Sequence, residues 1–379
     1  MLVAFAPSSD AVVSGRIPVL AHVPPEPLSF TGTRTAVVPG ASGAGTATPV
    51  PALPRFTATA VDGVRTLTYT MVGKDPSIPT AHPLTTVKAL LVPIVISFPN
   101  GKRWDPTFVD SCDPGTSALT RTRRSPLFAS QPWTWGGTSV GTGQVTDAFQ
   151  RAEFWTYAGP TGVNPTYGVR LALSTAAKVI VDVPAAEAAM GAGVHCGNHL
   201  VGIVNTVWLE TYLQRTVVPS LAAQGLDAST LPIFLLHNVV GYIGSPADCC
   251  VLGFHSAFEP TPGVTQTYAV ATYDNTSLFT GTSDISAPTH EVAEWQDDPF
   301  GDNPTEAWGH VGQVAGCQSD LEVGDPLSGT TFADPVGGFI YHPQELAFTS
   351  WFFHRTPSLG VNGWYSDQGT FTSSAAACS

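Results

Sequence analysis

Thr289-His290-Glu291-Val292-Ala293-Glu294-Trp295-Gln296-Asp297-Asp298-Pro299 is the stretch on which the reading of this chain turns. On an α-helix, positions i and i+4 lie on one face about 6 Å apart, so His290 and Glu294 can grip one metal ion. An imidazole nitrogen and a carboxylate oxygen both suit Zn²⁺ at about 2.0–2.2 Å. Glu291 sits about 100° further round the helix, where it reaches a water on that ion without ligating the ion itself. The plainer alternative is an amphipathic helix with two surface glutamates and a stray histidine. Val292, Ala293 and Trp295 speak against it, because they bury the helix, and buried carboxylates without a cation are costly.

The surroundings suit such a helix. Asp284 or Ser286 can cap it, Pro288 falls in its first turn, and Asp298-Pro299 ends it. Three strands are expected before it: a buried one over 231–240, a short one over 251–257, and a strictly alternating one over 266–273. Further back, 57–61 and 66–72 alternate around a turn at Asp62-Gly63, and 87–98 is a nearly continuous apolar, β-branched run. Apolar spacing predicts a helix over 144–155, strands over 168–173 and 178–183, and a longer helix over 200–223. Residues 1–55 are rich in Pro, Gly, Ala and Thr and read as an extended arm. A β-rich part over 56–225 and a metal-site region over 226–379 follow.

Composition narrows the function. Charged residues are 12% of the 379, only four are Lys, and the formal net charge is −13. Such a chain has no basic surface for nucleic acid or an anionic membrane, and no run approaches the roughly 20 apolar residues of a membrane-spanning helix. Abundant Gly, Pro, Ser and Thr with scarce Lys is the style of a secreted protein, although Met1 to Pro7 lacks the basic and long apolar regions of a signal peptide. The six cysteines, Cys112, Cys196, Cys249, Cys250, Cys317 and Cys378, allow three disulfides, with strain expected to send adjacent Cys249 and Cys250 to different partners. No C-x-x-C pair or P-loop is present, and the serines near the motif lack the flanking glycines of a G-x-S-x-G elbow, which speaks against a cysteine-rich zinc site, nucleotide use and a serine nucleophile there.

A catalytic zinc site needs a third protein ligand. His310, Glu322, Asp325 and Asp334 are the downstream choices, and Cys317-Gln318-Ser319-Asp320-Leu321-Glu322-Val323-Gly324-Asp325-Pro326 is the most suggestive stretch. Residues 231–325 resemble the zincin metallopeptidases in their gluzincin-like branch. Their H-E-x-x-H motif reads H-E-x-x-E here, with Glu294 in the last place. His290 to Phe300 is also similar to an H-E-V-x-E-W-x-x-D-P-F signature of secreted bacterial proteins. The resemblance implies an α+β fold: a zincin-like catalytic domain with a mixed, largely β N-terminal part and the active-site helix after a twisted sheet. It implies Zn²⁺ held by His290, Glu294 and Glu322, with Asp325 orienting His290, and Glu291 as general base. Gluzincins carry that Glu on a helix, which Val323-Gly324-Asp325-Pro326 cannot form, so Glu322 and Asp325 can exchange roles. His310 is the rival ligand, or else a catalytic donor in the transition state.

The implied activity is endopeptidase action outside the cell by a monomer, on a peptide or protein substrate. A ligand set of two carboxylates and one imidazole lowers the Lewis acidity of zinc, so the competing reading is a non-catalytic extracellular protein with a structural metal. Asp297, Asp298 and Asp302 with Asn303 could add Ca²⁺ beside the site, a solvated helix end being the alternative. Tyr341-His342 reads as a packed strand before an oxyanion donor, and 348–354 as core.

Overall fold

The computed structural model describes residues 52–62, 65–192 and 200–378, so most of the expected N-terminal arm, Gly63 of the first turn and Cys196 lie outside it. The fold is mixed α+β. A hairpin of β1 (Arg55–Asp62) and β2 (Arg65–Val72) leads into the long strand β3 (Leu84–Ser97). After helix α1 (Val145–Glu153), β4 (Gly168–Thr175) and β5 (Val179–Asp182) return to pair in parallel with successive stretches of β3. Strand β6 (Leu200–Asn205) precedes a helical run from Thr206 to Ser220. Strand β7 (Thr230–His237) pairs in parallel with the other side of β3, and β8 (Val239–Tyr242) crosses to a second sheet beside β6.

Strand β9 (Gly253–Thr261) then forms an antiparallel edge on β10 (Val264–Tyr273), itself parallel to β7. Helix α2 (Ser286–Asp297) packs against β9 and β10, and a hairpin of β11 (Pro304–Val311) and β12 (Val314–Asp320) follows. Residues on both sides of the notional boundary at 225 thus share one sheet.

Burial on both faces explains the unbroken apolar runs of the parallel strands. On β3, Val87, Ala89 and Leu91 join Leu231, Ile233, Leu235, Val292 and Trp295 in the core under α2. Leu90, Val92, Ile94 and Ile96 point the other way, onto Leu209, Leu213 and Val217 of the helical run. A third core holds Ala293 of α2 against Trp308, Leu321, Val323, Phe348 and Phe352. Helix α2 is therefore enclosed on both sides and buried along its whole length. The aromatic run before His354 is core, as its composition suggests.

Four local expectations are corrected. The helix expected over 200–223 begins only at Thr206, because Asn205 caps it, accepting from Val207 N (3.0 Å) and Trp208 N (3.3 Å), while 200–205 is strand. The strand expected over 231–240 is two, broken where Asn238 takes a left-handed φ of 53°. Neither Asp284 nor Ser286 caps α2: Asp284 accepts from Ile285 N (2.6 Å) and His342 N (2.9 Å), and Ser286 Oγ accepts from Ser283 N (3.0 Å). Cys249 and Cys250 pair with each other, buried with Val201, Ile203, Tyr242 and Phe279. Cys317 and Cys378 are committed to one another (S–S 2.01 Å), and Cys112 is also disulfide-bonded.

Beneath α2, Glu153 of α1 meets Asp297 in the core. Glu153 accepts from Gln150 Nε2 (3.1 Å) and Thr349 N (3.1 Å), and Gln150 also donates to Asp297. Burial pushes the Glu153 carboxyl up to about 8, and burial together with the Glu153 charge pushes Asp297 well above its usual value. Because the folded value of Glu153 exceeds its unfolded one, its contribution to stability is complete below about pH 4.5 and is lost as pH rises towards 8. Glu153→Gln should flatten the fall of melting temperature between pH 5 and 8, a difference on the order of a few kcal/mol. Parallel pH dependences of the two proteins would contradict this.

Candidate metal centre

Three chain segments meet on one face of α2. The helix supplies His290, Glu291 and Glu294, which are 8%, 5% and 3% exposed, so water cannot solvate their charges. Alternation along β9 puts Gly253 and His255 on one face, towards the helix. A Cβ on Gly253 would lie 2.5 Å from Glu291 Oε1, so only glycine lets strand and helix approach this closely. Beyond β12, Leu321 and Val323 are anchored in the core with Trp308, which delivers Gly324 and Asp325 to His290. A Cβ on Gly324 would stand 2.5 Å from His290 Nδ1. Gly324 N donates to Glu294 Oε1 (3.0 Å).

Outer hydrogen bonds orient both rings. His290 Nδ1 lies 3.1 Å from Gln344 Oε1, and the Gln344 amide is fixed by donating from Nε2 to Gly324 O (2.6 Å). The Nδ1–H of His290 therefore donates outward, so Nε2 is the nitrogen that could ligate a metal. That Nε2 faces Glu294 Oε2 at 3.0 Å and Asp325 Oδ1 at 3.4 Å. His255 repeats the pattern. Its Nε2 is 2.9 Å from the Asp298 carbonyl, which can only accept, and its Nδ1 faces Glu294 Oε2 at 3.6 Å and Glu291 Oε2 at 3.7 Å. The donors fall into two triads, His290–Glu294–Asp325 and His255–Glu291–Glu294, each with its ligand atoms within 4.8 Å of one another and both sharing Glu294.

The charges are strongly coupled. Burial opposes protonation of both rings, yet the surrounding carboxylates win and raise His290 and His255 well above the usual range. Burial works against the Glu294 charge too, but His290 and His255 hold its carboxyl well below the ordinary value. Burial pushes Glu291 up to about 7, and burial with the Asp325 charge pushes Asp320 up to about 6. Burial, then Glu294, raises Glu322 well above its usual value. Among the described residues, the ion pairs of Glu291, Glu294 and Asp325 are all to these two histidines. Buried imidazoles with outward N–H groups pinned by carbonyls and inner nitrogens turned to carboxylates form a donor set that fits Zn²⁺.

His290, Glu291 and Glu294 share the face that their helical spacing predicts, and Asp325 joins His290 and Glu294 there. Asp325, not Glu322, stands beside the inner nitrogen of His290, and the outer partner of that ring is Gln344. Glu322 is half-buried and close enough to Glu294, His255, Asp320 and Asp325 for their charges to act on it, but it belongs to neither triad. His310 stands apart, exposed at the β11 end, its Nε2 4.0 Å from Cys317 Sγ beside the disulfide. The acids considered for Ca²⁺ are otherwise engaged: Asp298 accepts from Asp302 N (3.1 Å) and Asn303 N (2.8 Å), and Asp297 faces Gln150 and Glu153. Asp334 accepts from Gln131 Nε2 (2.7 Å), and Tyr341 is a packed strand residue whose hydroxyl donates to Arg121 O (3.0 Å).

Two residues escape the sequence reading. His255 looks like an ordinary strand histidine, its one signal being Gly253 two positions earlier on the face turned to the helix. Gln344, distant in sequence, has no local signal at all. Comparison of the chain with protein-family models, curated proteins and solved structures finds no match.

Proposed function

We propose that this chain is a zinc-dependent hydrolase of peptide bonds that acts outside the cell. His290, Glu294 and Asp325 would hold the ion, and Glu291 would serve as general base. The observation that carries the reading is the arrangement at His290. Its outer N–H is fixed on Gln344, its inner nitrogen is flanked by Glu294 and Asp325, and Glu291 is the next carboxylate along the helix. Zn²⁺ in this triad supplies Lewis acidity to water and to a peptide carbonyl. Glu291 then takes the proton of the attacking water and passes it to the leaving amine. Gln344 keeps the ring of His290 in the tautomer that ligation needs, and Gly253 allows Glu291 to lie against β9. An extended substrate would lie along edge strand β9, close to Glu291. The Cys317–Cys378 disulfide and the lysine-poor composition support an extracellular setting.

One observation favours a second reading. All the donors of the first triad are more than nine-tenths buried, as in a closed structural site, which suits a non-catalytic extracellular protein stabilised by metal. The two readings part on casein hydrolysis with zinc supplied. Cleavage that chelator abolishes and Zn²⁺ restores is the expected result. No cleavage, with a melting temperature that chelator lowers, would leave only the structural site.

A further inference from the structure

We propose that the centre binds a second divalent cation at His255, Glu291 and Glu294, with Glu294 shared between the two ions. This rests on the metal reading of His290, Glu294 and Asp325 given above and goes beyond it. Three observations point to the second ion. The first is that the ligand atoms form two triads with only Glu294 in common, so the donors of β9 and those of Asp325 do not close on one point.

The second is the state of His255. Its side chain is 4% exposed and its Nε2–H is spent on the Asp298 carbonyl, so Nδ1 is aimed at Glu291 and Glu294 from 3.7 and 3.6 Å. Without metal the two carboxylates hold a proton on that nitrogen, and a divalent cation can take the proton's place with all three groups as ligands.

The third is charge. Glu291, Glu294, Asp320, Glu322 and Asp325 crowd this one region, and each appears among the groups that perturb its neighbours there. Asp320 Oδ1 is buried without a hydrogen-bond partner. Carboxylates packed this closely repel one another wherever they are ionised, and each divalent ion bound among them offsets part of that charge. Uncompensated buried charge is strongly destabilising, which favours the second ion.

Each subsite offers one imidazole and two carboxylates, a set suited to Zn²⁺. The second ion occupies Glu291 Oε2, the group assigned as general base, so its binding suppresses proton transfer. Hydrolysis should therefore rise with the first equivalent of zinc and fall with the second.

The test is a calorimetric titration of the chelator-stripped full chain with Zn²⁺, with elemental analysis after desalting. The wild type should take up two equivalents. His255→Ala and Glu291→Gln should each take up one, their affinity for the second ion falling at least about tenfold. Saturation of the wild type at one equivalent overturns the second site and leaves the first standing. Two equivalents retained in both variants also overturn it. No uptake by the wild type removes the proposed function along with it.

Discussion

Glu294→Gln is expected to strip the chain of bound zinc and to abolish hydrolysis. Glu294 is the one residue common to both triads: Oε2 stands 3.0 Å from His290 Nε2 and 3.6 Å from His255 Nδ1. The amide has the same shape, and its oxygen can still accept from Gly324 N, so the backbone around the site should hold. The charge, however, is gone. Loss of affinity should exceed about 100-fold, the upper end of what removing a mere outer partner of a ligand costs. In the metal-free state the two buried rings also lose the carboxylate they share, a cost of about 3–5 kcal/mol relative to chelated wild type. Zinc titration and thermal melts with and without chelator measure both. A variant that keeps its zinc and its melting temperature would show that Glu294 is only a packed helix residue.

Glu291→Gln should separate catalysis from metal binding. Glu291 lies outside the His290–Glu294–Asp325 triad, so that ion should remain, while kcat/KM on casein falls about 10²–10⁴-fold, the usual worth of a positioned base. Stability should not fall, because the burial that raises its pKa to about 7 marks a charge that the fold disfavours. Unchanged hydrolysis would remove Glu291 from the chemistry.

Local chemistry decided how far the sequence could be read. The burial of α2 and its i, i+4 pair followed from Val292, Ala293 and Trp295 flanking His290 and Glu294, and the alternation of 266–273 gave β10. The all-apolar stretch 200–204 carries no period that separates a strand from a helix, and Asn205 was the overlooked stop. The break at Asn238 depends on one left-handed residue that the apolar run around it conceals. In the site, Asp325 and Glu322 are three residues apart and chemically alike. Only the anchoring of Leu321 and Val323 in the core decides which of them reaches His290. His255 and Gln344 meet the helix through sheet pairing and a long return of the chain, contacts that no local pattern encodes.

Elemental analysis of the purified full chain, paired with an anomalous difference map at the zinc edge, is the most direct test of the centre. At least one zinc per chain, with density bounded by His290 Nε2, Glu294 Oε2 and Asp325 Oδ1, is the predicted result. A metal-free chain, or density only at His310 beside the Cys317–Cys378 disulfide, would contradict it.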